Sequence, residues 1–224
     1  MKILDYLFNR SNILDSIYSK PISVERICVD DLLKLFDNVK YLEESDYFII
    51  SRDGYVISSE DDYMREGIVD RNDENPKILK KDISYLGMAY IWSLNSHCIR
   101  KKIGSLIVKD NMIISDGYNG TPYGFDNVCE DNGVTKENVL HAEVNALAKI
   151  AKSTNSSNKA VMYCTLSPCM NCARLIYQSG IKKLVFSSIY RDITGIKFLI
   201  EAGVVMKYIN KKTIDKSIID GFNL

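Results

Sequence analysis

Two histidines, His97 and His141, and six cysteines, at 28, 98, 129, 164, 169 and 172, are the residues of this 224-residue chain best suited to hold a soft metal. His141-Ala142-Glu143 and Pro168-Cys169-Met170-Asn171-Cys172 together supply one imidazole, two thiols and one further carboxylate. Three N/S ligands describe a catalytic zinc site. A structural site closes with a fourth protein ligand, whereas three leave one tetrahedral position for water, whose pKa the metal lowers toward about 7. Cys169 and Cys172 lie three apart at the predicted start of a helix, so they share a face, and the helix N-terminus favours the thiolate form that binds metal. Glu143, close to His141 but not needed as a ligand, is then placed to move protons. A lone CxxC also fits a redox pair, half of a structural zinc site or two buried cysteines. The six cysteines are too few and too unevenly spaced for a disulfide framework, so metal binding or burial is expected of them.

The elements that must position these residues are regular from Ile83 onward. ISYLGMAYIWSLNS predicts a helix, and IGSLIVKD and MIISDGYNG predict two strands that turn at Asp110-Asn111. A polar loop, TPYGFDNVCEDNGVTKENV, follows. Helix HAEVNALAKIAKS, strand AVMYCTL, helix CMNCARLIYQSG, strand KKLVFSS, helix TGIKFLIEAG and strand VVMKYI come next, and the tail KKTIDKSIIDGFNL reads as a last helix. Strands alternating with helices argue for an α/β layered domain over 83–224, its first two strands antiparallel and its later ones reached by helical crossovers. Residues 1–82 read as an N-terminal extension of mixed α and β. It has an amphipathic stretch at Ile3 to Ile17, a helix-like stretch at Val29 to Leu42, and a hairpin YFIISRDGYVIS turning at Asp53-Gly54. A charged linker then runs to a break near Pro76.

Composition narrows the function classes. Hydrophobic residues make up 46% and charged residues 26%, with 29 basic side chains against 29 acidic, as in ordinary soluble domains. No run approaches the ~18 apolar residues of a membrane span, and MKILDYLFNRSNILD lacks the apolar core of a signal peptide, so a cytoplasmic protein with no membrane partner is expected. The balance hides an asymmetry. Residues 1–82 carry 12 basic and 18 acidic side chains, and the remainder 17 and 11, so the C-terminal part is the better host for an anion. The acidity of the extension and the lack of an arginine-rich tract argue against nucleic acid as a partner.

HxE opening a helix, then a strand, then PCxxC opening the next helix is the zinc deaminase signature. The chain resembles the deoxycytidylate (dCMP) deaminases of the cytidine deaminase superfamily, particularly the phage and bacterial types. The resemblance covers residues 83 to 209. It rests further on GSLIVKDNMIISDGYNGTPYG, HAEVNALAKIA, MYCTLSPCMNCARLIYQSGIKKLVF and EAGV. It implies a cytidine deaminase-like three-layer α/β/α fold around a mixed five-stranded sheet. It also implies one catalytic Zn2+ on His141, Cys169 and Cys172, with Glu143 protonating cytosine N3 and then helping to expel ammonia, so that a small-molecule nucleotide, dCMP, becomes dUMP.

By the same resemblance Asn119 contacts the sugar and the backbone around Ala142 and Ser167 meets the base edge. Arg100 stands near the phosphate, with Lys101 or Lys102 adding charge, and Tyr190 packs on the base. Gly117, Tyr118, Asn119 and Gly120 match the loop through which dCTP and dTTP regulate the family, whose members are commonly homo-oligomers, often hexamers. Other readings of these positions stay open: a turn residue at 119, a solvated basic turn at 100, and a half-buried tyrosine at 190. Cys98 and Cys129 align with cysteines that hold a second, structural zinc in some phage-type members. Here the loop between GYNG and HAE is short and has no histidine, which leaves only His97. A two-cysteine site suits tetrahedral zinc poorly, so two free or buried cysteines are expected, as are core positions for Cys28 and Cys164. Two rival functions remain: a deaminase of another nucleotide or of a base in RNA or DNA, and a non-catalytic zinc-binding interaction protein.

Overall fold

The computed structural model describes residues 47–50 and 76–222. In chain order these hold β1 (Tyr47–Ile50), α1 (Pro76–Ser93), β2 (Gly104–Lys109), β3 (Met112–Tyr118), β4 (Glu130–Asp131), β5 (Val134–Thr135) and α2 (Ala142–Ile150). They continue with β6 (Val161–Cys164), α3 (Met170–Gln178), β7 (Lys183–Phe186), α4 (Thr194–Glu201), β8 (Val205–Ile209) and α5 (Lys211–Phe222). The stretches read as helices at 3–17 and 29–42 and the turn at Asp53-Gly54 lie outside the described residues.

Asp110 and Asn111 both take positive φ, 52° and 62°, which a two-residue hairpin turn requires and which Asp and Asn tolerate. The turn therefore folds β3 back antiparallel onto β2. β2 also pairs antiparallel with β6, and the crossover helices α3 and α4 then set β6, β7 and β8 parallel. These five strands form the expected mixed sheet. β1 adds a sixth, antiparallel to β8 with Tyr47 opposite Ile209, giving the order β1-β8-β7-β6-β2-β3. The first strand of the hairpin read in the extension is thus an edge of the main sheet.

Period-two alternation divides the strands between two helical layers. Ile107, Met162, Leu184, Phe186, Met206 and Tyr208 pack on Ala146, Ala173, Ile176, Leu199 and Ile200 of α2, α3 and α4. Leu106, Val108, Tyr163, Val185 and Ile209 pack on Leu79, Ile83, Leu86 and Ala89 of α1 and Ile214 of α5. Cys164 is fully buried, as expected.

Helix α1 starts at Pro76 rather than at Ile83. Proline is favoured in the first helical turn, where its missing N–H costs nothing, so the residue read as a break is the helix start. A division of the chain between 82 and 83 would cut this helix and separate Asp82 from its partners. Asp82, 2% exposed, accepts a hydrogen bond from Tyr163 Oη at 2.6 Å and pairs with Lys207 Nζ at 2.7 Å, and Lys183 Nζ stands 3.7 Å away. Lys207 shares its face of β8 with Val205 and Ile209, and this ion pair lets a charged side chain lie fully buried under α1.

Candidate metal centre and catalytic cavity

The metal-ligating motifs meet at two helix N-termini. His141 is the N-cap of α2 and Cys169 the N-cap of α3, both in extended conformation, and neither side chain makes a capping hydrogen bond. Ser, Thr, Asp or Asn at such a position contributes about 1 kcal/mol. Here both caps are left to other chemistry. Cys172 follows three residues after Cys169, in the first turn of α3, and Glu143 lies in the first turn of α2. Two glycines allow the supporting elements to close on one another. A Cβ on Gly117 of β3 would lie 2.2 Å from the Ala142 carbonyl oxygen, and one on Gly195 of α4 would lie 2.3 Å from that of Pro168.

His141 Nδ1 stands 3.3 Å from Cys172 Sγ and 3.5 Å from Cys169 Sγ, and the three ligand atoms all lie within 4.8 Å of one another. Tetrahedral zinc with Zn–N of about 2.05 Å and Zn–S of about 2.3 Å holds its nitrogen and sulfur ligands about 3.5 Å apart. The spacing, and the borderline-soft N/S/S donor set, fit that ion. Among the described residues no other histidine, cysteine or carboxylate joins this cluster.

Of the three ligands, Cys169 is already driven toward the thiolate form that binds metal. The Cys172 thiol donates to Cys169, and with His141 it holds the Cys169 thiol down to about 4. The same hydrogen bond, with burial, pushes Cys172 far up. Hydrogen bonding to Cys169 raises His141 against the opposing effect of burial. Glu143, 4% exposed, is raised above the ordinary carboxylate value, chiefly by desolvation of its buried carboxyl.

A cavity of about 460 Å³ opens on this cluster, large enough for a nucleotide-sized ligand. Its lining includes His141, Glu143, Cys169 and each of the residues expected at a substrate: Arg100, Asn119, Ala142, Ser167 and Tyr190. Ser167 is buried, and its Oγ accepts the Tyr190 amide at 2.8 Å, which fixes the backbone of the aromatic residue. Asn119 does not occupy a positive-φ turn. Its Oδ1 accepts the Ile103 amide and its Nδ2 donates to the Lys101 carbonyl, each at 2.8 Å, so it braces the segment leading into β2. One donor and one acceptor position of that amide are left for a ligand. Within the GYNG segment, Gly117 and Tyr118 belong to β3, and Gly120 exchanges backbone hydrogen bonds with Leu140, next to His141.

The same cavity gathers residues that sequence reasoning missed. Arg191 lines it, with its guanidinium 5.8 Å from the Tyr190 ring centroid, and Glu130 and Thr135 line it near Arg100. A basic residue directly after the rim aromatic was the available signal for Arg191. Lys101 lines the cavity, whereas Lys102 Nζ turns to the Leu94 carbonyl at 3.3 Å. Cys98 and Cys129 are buried, as expected, but they are joined in a disulfide rather than free. The loop carrying Cys129 folds back onto the segment of Cys98, a proximity that linear spacing does not reveal. His97 is exposed and stands outside the metal cluster.

Comparison with known proteins gives these features their context. The cytidine and deoxycytidylate deaminase zinc-binding region matches residues 79–188. The deoxycytidylate deaminase of Enterobacteria phage T4 is 32% identical over 61% of this chain and 93% of its own length. The deoxycytidylate deaminase of Schizosaccharomyces pombe is 33% identical over 56% of this chain and 43% of its own length. A crystal structure of dCMP deaminase from the cyanophage S-TIM5, in complex with dCMP and dUMP, superposes with a TM-score of 0.57 at 41% identity, covering 60% of this chain and 98% of that one. By its fold, and by its similarity to relatives spanned almost end to end, the chain belongs to the deoxycytidylate deaminase family.

Proposed function

We propose that the protein is a zinc-dependent hydrolase that converts dCMP and water to dUMP and ammonia. The observation that carries this reading is one cavity lined both by His141 and Cys169 of the N/S/S donor set with the buried carboxyl of Glu143 and by the exposed cations Arg100, Lys101 and Arg191. The first part suits addition of water to an amino-bearing ring carbon, and the second suits a phosphate.

His141, Cys169 and Cys172 hold the zinc, which when bound supplies Lewis-acid activation of water. Glu143 takes a proton of the attacking water and delivers it to N3 as the C4–O bond forms, then takes the remaining proton of the hydroxyl on C4 and gives it to the departing amine as the C4–N bond breaks and the C4 carbonyl forms. The backbone around Ala142 and Ser167 orients the base edge, Tyr190 covers its face, and Asn119 meets the sugar with the hydrogen-bonding capacity left to its amide. Arg100, Lys101 and Arg191 hold the phosphate. The catalytic unit begins at Pro76, where α1 starts.

Ammonia release by the zinc-loaded full-length chain with dCMP, CMP, deoxycytidine and dCTP in parallel tests the reading. Preferred turnover of dCMP is expected, and Glu143→Ala should lower it by about 10²- to 10⁴-fold, the usual contribution of a general acid–base group, with zinc content retained. Silence on all four substrates with zinc bound would sink the proposal.

Regulation and assembly extend the same reading. dCTP or dTTP at the 117–120 segment would act through the Gly120–Leu140 bridge, which leads directly to His141. In a cytoplasmic homo-oligomer, a hexamer by family likeness, the exposed Ile91, Leu94 and Ile99 and the loop residues Tyr123 and Phe125 offer apolar surface for subunit contact. Light scattering at micromolar concentration should give a multiple of the 25.5 kDa chain mass, and a monomeric mass would remove the oligomer.

A further inference from the structure

The polar loop between GYNG and HAE contains a small hairpin with no strand partner in the main sheet among the described residues. β4 and β5 pair with each other, Glu130 opposite Thr135, across a turn whose Asn132 and Gly133 take positive φ of 50° and 77°. What holds this hairpin in place is the segment 98–100. The Cys98–Cys129 disulfide joins the two backbones. Glu130 Oε1 accepts both the Ile99 amide at 3.1 Å and the Arg100 amide at 3.2 Å. Thr135 Oγ1 accepts from Arg100 Nη1 at 3.1 Å.

These contacts converge on one side chain. Arg100 is exposed, and a free arginine must lose rotamer entropy to hold a ligand in a fixed geometry. The carboxylate of Glu130 fixes the backbone from which Arg100 springs, and Thr135 occupies one of its five N–H donors, leaving the others for a ligand. All three residues line the cavity.

We infer that Glu130 and Thr135 are positioning residues that hold the Arg100 guanidinium ready for the substrate phosphate, and so contribute to discrimination of a nucleoside monophosphate from its nucleoside. This rests on the phosphate role proposed for Arg100. The ordering cost is met within the fold, before the ligand arrives, so the benefit falls on binding of a substrate that carries a phosphate. Neither residue touches the reacting ring carbon, so the rate of the bound complex does not depend on them.

Steady-state kinetics with dCMP and with deoxycytidine on Glu130→Met, which keeps the side-chain length and removes the accepting oxygen, Thr135→Val, Thr135→Ser and Arg100→Ala test this. Glu130→Met and Thr135→Val should each raise KM for dCMP by about five- to ten-fold, the range of one net hydrogen bond, with kcat unchanged and kcat/KM for deoxycytidine unchanged. Thr135→Ser keeps the hydroxyl and should behave as wild type. Added to Arg100→Ala, Glu130→Met should have little further effect, because both act through one guanidinium. Equal losses on both substrates, or effects that add fully to Arg100→Ala, would overturn the inference and make the hairpin a general structural support. If Arg100→Ala raises KM for dCMP while Glu130→Met and Thr135→Val do not, the positioning role fails alone. If Arg100→Ala leaves KM for dCMP unchanged, the phosphate role of Arg100 fails, and the inference fails with it.

Discussion

Cys169 and Cys172 are three residues apart in sequence, yet their thiols are driven in opposite directions. Donation from the Cys172 S–H and proximity to His141 take Cys169 from 9.0 down to about 4, while Cys172 keeps its proton. The metal-free protein should therefore carry one thiolate at neutral pH. A depressed folded-state value contributes stability that is present above the unfolded value and lost as pH falls, here through about 4. Thiolate ultraviolet absorbance on acidification should fall with that midpoint, and a midpoint near the ordinary thiol value would show that the pair is not coupled. Zinc must displace the Cys172 proton, so binding should release protons, visible in calorimetry as an enthalpy that changes with the buffer's ionisation heat. HAE and PCxxC were legible because each is a local pattern whose spacing already implies a shared helix turn. Arg191 and the brace made by Asn119 were not, because what they do depends on which loops the sheet brings beside them.

At the scale of elements, the ligand loop depends on close approach of backbones. Gly195 opens α4 directly over Pro168 and Cys169, and a Cβ there would lie 2.3 Å from the Pro168 carbonyl and 2.8 Å from the Cys169 carbonyl carbon. Backbone cannot swing aside as a flexible side chain can. Gly195→Ala should cost about 1–3 kcal/mol by overpacking and should weaken zinc retention, because the strain falls on the segment that sets Cys169. Denaturant unfolding and zinc release to a chelator would measure the two effects, and a variant that loses neither would show that α4 can shift without moving the ligand. Most elements were readable from periodicity and turn chemistry, Asp110-Asn111 above all. The α1 start is not legible in the sequence, because proline reads there as a breaker and serves in the fold as a first-turn residue. The β4–β5 hairpin was missed although Asn132-Gly133, a strong hairpin dipeptide, marks it; two-residue strands leave no alternation to read. The pairing of Asp82 with Lys207, 125 residues later, has no local signal at all.

For the whole molecule, the sheet order separates stability from chemistry. β1 lies at one edge and β3 at the other, with β8, β7, β6 and β2 between them. β3 leads directly into Asn119, which lines the catalytic cavity, whereas β1 covers the outer edge of β8, which would otherwise present unpaired backbone groups to solvent and to other chains. Interrupting β1 should therefore expose a sheet edge without disturbing the metal ligands. Consecutive residues of an edge strand point their N–H groups alternately toward and away from the partner, so the double substitution Phe48→Pro and Ile49→Pro removes a ladder hydrogen bond whichever of the two donates. The variant should melt at lower temperature and aggregate more readily, while its soluble fraction keeps wild-type zinc content, kcat and KM for dCMP. A fall in kcat or a rise in KM at temperatures where the variant is still folded would mean that the edge strand is coupled to the cavity across the sheet, and that the N-terminal segment takes part in catalysis as well as in covering the edge of the fold.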